Sequence, residues 1–255
     1  MTVERRPSLD PYPRRHPRPG TTRPGPSPAP RPAPAGDGLR VLYLGSSLTY
    51  ANDMPAIVQG FAHAVGKAHD YTVVAKGGAS FEDHWKRGDA LRRIKEGGWS
   101  HVVLQQGPST LPESRATMRR YARHLAGPIQ ACGARPLLYM VWPSRDRMAF
   151  FDDVRETYTL TAQDIGGMLA PAGEAWRAVW RRDPDAPLLK RDGEHPTALG
   201  SYVIALSIFG MLYARSPVGL PASIRLKKGT AEVPPEVAPL LQEAVAEAND
   251  KYGRR

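Results

Sequence analysis

The chain has 255 residues, a formal net charge of +10, 41% hydrophobic residues and 24% charged residues. This composition excludes a wholly disordered chain or a coiled coil, and no uninterrupted apolar run reaches the ~18 residues of a membrane span. The single cysteine, Cys132, excludes an intramolecular disulfide framework and any cysteine-cluster zinc site.

Residues 1–36 hold 11 of the 26 prolines, and seven arginines against two acidic residues. Proline blocks helix and sheet, and little here is apolar enough to offset ordering entropy. The segment therefore reads as a disordered, basic, Pro-rich tail that samples polyproline II. It lacks the apolar core of a secretory signal, so a cytoplasmic location is expected. Tyr12 is its one aromatic residue. Without a stacking platform for single strands, no nucleic-acid partner is expected. Residues 37–255 are enough for one core and are expected to form a single domain.

From residue 39 onward, short apolar runs alternate with amphipathic stretches. The first run, 39–44, is followed by helical spacing over 54–68. The second, 71–75, precedes a helical stretch over 82–96, stopped by Gly97 and Gly98. The third, 101–104, precedes a helix over 113–132, stopped by Gly133. The fourth, 136–142, leads to a helix over 151–168 and a shorter fifth candidate at 168–172. Residues 197–214 are apolar almost all round and read as a buried helix. A stripe over 233–252 reads as a last helix packed on the domain. Strand and helix alternating in this way predict an α/β fold, a three-layer doubly wound and mostly parallel sheet. In such sheets ligands bind beyond the carboxyl ends of the strands, so the residues just after each apolar run matter most.

Four of those segments carry candidate chemistry. Gly45-Ser46-Ser47-Leu48-Thr49 is a tight turn that can present a serine hydroxyl above the sheet, or an ordinary N-cap. Gly77-Gly78 allows close backbone approach, for a ligand or merely for a tight loop. Gln105-Gln106-Gly107 places two amides where the sheet opens, for a ligand or for nearby backbone. In Asp192-Gly193-Glu194-His195, a carboxylate three residues before an imidazole can fix its tautomer and stabilise the imidazolium, as a general base requires. Asp192 or Thr197 could equally cap the following helix. His84 and Trp142 are candidate pocket residues. Glu194 beside Asp192 and His195 has no second His-bearing cluster, so no metal site is expected.

The set Gly-Ser-Ser-Leu-Thr, a glycine pair after the second strand, an amide after the third and Asp-Gly-Glu-His-Pro near the end resembles the SGNH (GDSL-type) hydrolase superfamily. The late Ser-Pro-Val-Gly-Leu-Pro and the Leu-Gln-Gln-Gly run narrow the resemblance to a bacterial branch. The resemblance implies a serine esterase with Ser47 as nucleophile, His195 as base and Asp192 orienting that base. It implies an oxyanion hole from the Ser47 and Gly78 backbone N–H groups and a side-chain amide. Two positions depart from the pattern: Ser46 stands where Asp is usual, and Gln105 or Gln106 replaces the usual Asn. Carbohydrate-esterase relatives that use a Gln-Gly pair favour Gln106. They also make a short-acyl (acetyl) ester of a carbohydrate or small metabolite the expected substrate, with no cofactor. The alternatives are a catalytically impaired ligand-binding protein, or a lipase or thioesterase acting on longer chains.

Overall fold

A computed structural model describes residues 38–253. The Pro-rich leader read from residues 1–36 lies outside the described residues.

Five strands form one all-parallel sheet: β1 (Leu39–Gly45), β2 (His69–Ala75), β3 (His101–Leu104), β4 (Arg135–Tyr139) and β5 (Met168–Ala170). Their order is β2-β1-β3-β4-β5. β1 therefore sits between β2 and β3, with Leu44 level with Val74 on one side and Leu104 on the other. β1 and β3 are buried on both faces, which is why they read as continuous apolar runs instead of alternating ones.

The helices are α1 (Ser47–Tyr50), α2 (Met54–Ala64), α3 (Phe81–Arg87), α4 (Asp89–Lys95), α5 (Pro112–Ala131), α6 (Phe151–Asp164), α7 (Ala172–Arg182), α8 (Ala198–Tyr213) and α9 (Ala238–Tyr252). One group, α2, α7, α8 and α9, packs together. A second group, α3 to α6, packs separately, which gives three layers. α8 is buried along almost its whole length, as its all-round apolar sequence requires.

Three expectations are corrected. The stretch 82–96 is two helices, because Gly88 at φ 75° breaks the run between α3 and α4. The fifth strand ends at Ala170, and α7, absent from the sequence reading, begins two residues later. The last helix starts at Ala238, because Pro234 and Pro235 occupy the start of the expected 233–252 stretch. A small hairpin, β6 (Ser223–Arg225) with β7 (Thr230–Glu232), also went unread.

Candidate active site

The carboxyl end of β1 turns sharply at Gly45. A Cβ at Gly45 would overlap Thr49 Oγ1 and lie 2.7 Å from Gln105 Oε1, so only glycine fits. Ser46 caps α1, its Oγ accepting the Leu48 N–H at 3.4 Å, and Ser47 is the first helical residue. Behind the turn, Gln105 is fully buried. Its Oε1 accepts the Ser46 N–H at 2.9 Å, the Ser46 hydroxyl at 3.0 Å and the Thr49 hydroxyl at 2.8 Å. A backbone N–H can only donate, so the orientation of this amide is fixed. From another side, His84 Nε2 donates to the Gly45 carbonyl at 3.0 Å. Burial lowers the His84 pKa, which favours the neutral imidazole with its proton on that nitrogen.

The loop over 190–196 lies against this turn. Asp192 Oδ1 accepts the N–H groups of Glu194 and His195, both at 2.9 Å, while Oδ2 is 3.1 Å from His195 Nδ1. Those backbone bonds, the Glu194 one foremost, hold the Asp192 pKa below the usual carboxylate value. The ionised carboxylate fixes the proton on Nδ1 and leaves Nε2 as an acceptor, 2.9 Å from Ser47 Oγ. Helix capping falls to Thr197 instead, whose Oγ1 accepts the Gly200 N–H. The loop is clasped from the segment after β4: Trp142 Nε1 donates to the Glu194 carbonyl at 3.1 Å, and Arg145 N–H to the Gly193 carbonyl at 2.9 Å.

Opposite the hydroxyl, Gln106 is gripped at three points. Tyr158, buried and kept protonated, donates to its backbone carbonyl at 2.6 Å. The Phe81 N–H donates to Oε1 at 2.8 Å, and Nε2 is 2.7 Å from Ser109 Oγ. Ser109 directs its own proton to the Gly107 carbonyl at 3.2 Å, so it must accept from Gln106. An amide nitrogen carries two protons. One is spent on Ser109, and among the described residues no acceptor takes the other. Ser109 achieves this in the left-handed region, at φ 55°.

Ser47, His195, Gly78, Gln106 and Trp142 share one cleft of about 640 Å³. Gly78 lies there at φ 69°, and among the described residues neither its N–H nor that of Ser47 is taken by a protein acceptor. Trp142 forms part of the wall and stacks on Trp176, with ring centroids 3.5 Å apart. Two candidates are corrected. Gln105 lies behind the Ser47 turn and not in the cleft: just past β3, the two consecutive side chains turn to different segments, Gln105 to Ser46 and Thr49, Gln106 to Phe81. His84 is a buried support of Gly45 and not a pocket residue. Among the described residues, no three His, Cys, Asp or Glu side chains cluster as a metal would need.

The sequence reading missed Asn52. Its Nδ2 donates to the Pro196 and Thr197 carbonyls, each at 3.0 Å, and lies 2.8 Å from Ser201 Oγ. The visible signal was Asn-Asp directly before a Met-Pro helix start, a pair that tolerates positive φ.

No family model matches the sequence, and no curated protein is significantly similar to it. Solved structures are. A candidate SGNH hydrolase from Slackia heliotrinireducens is 28% identical, covering 69% of this chain and 99% of its own, with a TM-score of 0.58. A DUF4886-family protein from Bacteroides uniformis is 16% identical, covering 84% of this chain and 96% of its own, with a TM-score of 0.68. A variant of an acetyl-xylooligosaccharide esterase from Geobacillus is 15% identical, covering 69% and 95%, with a TM-score of 0.56.

Proposed function

The chain has the SGNH hydrolase fold, and from that premise we propose that it is a serine esterase working through Ser47, His195 and Asp192. The observation that carries this reading is the 2.9 Å approach of His195 Nε2 to Ser47 Oγ, with Asp192 on the other ring nitrogen.

Ser47 Oγ attacks the ester carbonyl carbon as its proton passes to His195 Nε2. The carbonyl π pair moves onto oxygen, and the oxyanion accepts from the Ser47 N–H, the Gly78 N–H and the free Gln106 N–H. Collapse of the tetrahedral species breaks the bond to the alcohol oxygen, which takes the proton from His195. Water, deprotonated by the same imidazole, then releases the acid from the acyl-enzyme. Asp192 stays ionised and stabilises the transient imidazolium. Donors already held in place act without reorganising during the reaction, and this is where the triple grip on Gln106 matters.

A short acyl ester of a carbohydrate or small metabolite suits the cleft best. Its volume of about 640 Å³ far exceeds an acetyl group, which leaves room for the alcohol. Ser80, Thr110, Ser114 and Ser144 make the lining beside Trp142 polar, which suits a polyhydroxylated group. A small-molecule ester is thus the expected partner.

The test is hydrolysis of p-nitrophenyl acetate together with labelling by a fluorophosphonate. Wild-type protein should turn over the ester and carry the label on Ser47. Ser47→Ala and His195→Ala should each lose nearly all turnover. Undiminished activity in Ser47→Ala would overturn the mechanism.

A further inference from the structure

Among the described residues, Arg147 is the one lysine or arginine lining the cleft. It sits in the 3-10 segment Arg145–Phe150, where its own φ of −121° and ψ of 20° break the helical turn. It is half-buried. Its Nη2 donates to Thr110 Oγ1 at 3.0 Å, and its guanidinium lies over the Phe150 ring at 5.0 Å. Both contacts are to uncharged groups, so they hold the fork without forming an ion pair. Among the described residues no carboxylate lies within ion-pair reach of it. By contrast, Arg115, Arg119, Arg155 and Arg177 on nearby helices each meet at least one carboxylate.

The acidic groups around the cleft do not fill that role. Glu82 is bonded to Lys86 Nζ at 2.7 Å and to the Tyr121 hydroxyl at 2.9 Å. Asp146 is bonded foremost to Ser144 and to its own N–H; the Arg147 charge acts on it as the smallest of the influences and forms no ion pair with it among the described residues. Glu113 and Glu194 are exposed. A partly desolvated guanidinium, braced on one side by a ring and a hydroxyl, keeps donors free for a planar bidentate anion.

We propose that Arg147 recognises a carboxylate carried by the ester substrate, on its acyl or its alcohol part. This rests on the esterase reading and sharpens it, because it makes the substrate an anionic ester.

Two matched ester pairs test it. In one, 4-acetoxybenzoate against its methyl ester, the charge is on the alcohol. In the other, mono-p-nitrophenyl glutarate against its methyl ester, the charge is on the acyl group. In at least one pair, the charged-to-neutral ratio of kcat/KM should be about 10-fold or more higher in wild type than in Arg147→Met, read mainly in KM. Arg147→Lys should retain part of the difference. Comparing each ratio with the variant's cancels the difference in leaving group. The same ratio in wild type and Arg147→Met for both pairs would overturn the proposal. Calorimetry of 4-hydroxybenzoate and glutarate on Ser47→Ala protein, with and without Arg147→Met, gives a readout without turnover. Binding of an anion that weakens with Arg147→Met supports the proposal, and binding indifferent to it, or none, counts against it. No turnover of any of the four esters, with Arg147-dependent anion binding intact, would instead refute the esterase reading alone.

Discussion

Asn52 and Pro196 join the two halves of the site: the Asn52 amide, five residues after Ser47, donates at 3.0 Å to the carbonyl of the residue following His195. The same nitrogen reaches the Thr197 carbonyl, also at 3.0 Å. The segment after Ser47 is thereby tied to the segment after His195, independently of the contact between those two side chains. Asn52 holds this position at φ 52°, a conformation that asparagine tolerates better than most residues.

Asn52→Ala should lower kcat more than it raises KM and destabilise the fold by about 1–3 kcal/mol, because two carbonyls lose their donor. Asn52→Asp should be worse on both counts, since it turns an acceptor toward two acceptors. Steady-state kinetics and denaturant midpoints would check the order. An aspartate variant milder than the alanine variant would contradict it.

The neighbouring glutamines should fail in different ways. Gln106→Ala removes a donor from the cleft, and kcat should fall about 10²–10³-fold, well beyond what the stability loss from leaving the single Phe81 N–H without its acceptor would cause. Gln105→Leu leaves the Ser46 N–H and the Ser46 and Thr49 hydroxyls without their acceptor. Its first effect should be a stability loss of at least about 1–3 kcal/mol. Thermal unfolding recorded beside kinetics separates the two outcomes.

The Ser109 hydroxyl bears on the proposed site through Gln106, whose amide it holds. Ser109→Ala should lower kcat about 10-fold, the worth of one well-placed hydrogen bond, and leave KM nearly unchanged. In a Gln106→Ala background the same substitution should cost almost nothing more. Losses that multiply in the double variant would mean that Ser109 serves the fold and not the amide.

Acid should destabilise the protein through two histidines remote from the cleft. His69 and His101 are buried, and desolvation foremost holds their pKa values at about 4, against an ordinary 6.5. The unfolded chain therefore binds more protons than the folded one between these values. Stability is full above pH 6.5, falls as pH drops to about 4, and changes no further from this source below that. Each group contributes roughly 3 kcal/mol at most. Among the described residues neither His101 nitrogen has a hydrogen-bond partner, so His101→Leu should flatten the pH dependence without sacrificing a bond. Unfolding midpoints across that range would show an unchanged slope if the idea is wrong.

The strands were legible because buried parallel strands are short continuous apolar runs, and 101–104 matches β3 at both ends. The Asp192–His195 contact could be anticipated because three residues and a glycine suffice to fold the chain back on itself. The choice between Gln105 and Gln106 was not legible. It depends on which face of β3 meets α1 and which meets Phe81, a matter of register that composition does not carry. His84 misled for a related reason: a histidine after a glycine loop looks available, yet one turn of α3 aims it under Gly45. The Asn52 strap spans about 145 positions and left no periodic trace in the sequence.

Order along the chain has a consequence for biosynthesis. Ser47 follows the first strand of the described chain, whereas His195 comes 148 positions later, past the whole sheet. On the ribosome, Ser47 emerges long before His195, and a serine hydroxyl without a base beside it is an ordinary alcohol, too weak a nucleophile to react. On the proposed mechanism, reactivity switches on only when the loop carrying His195 packs against the Ser47 turn, so a nascent or prematurely terminated chain is harmless to the esters around it.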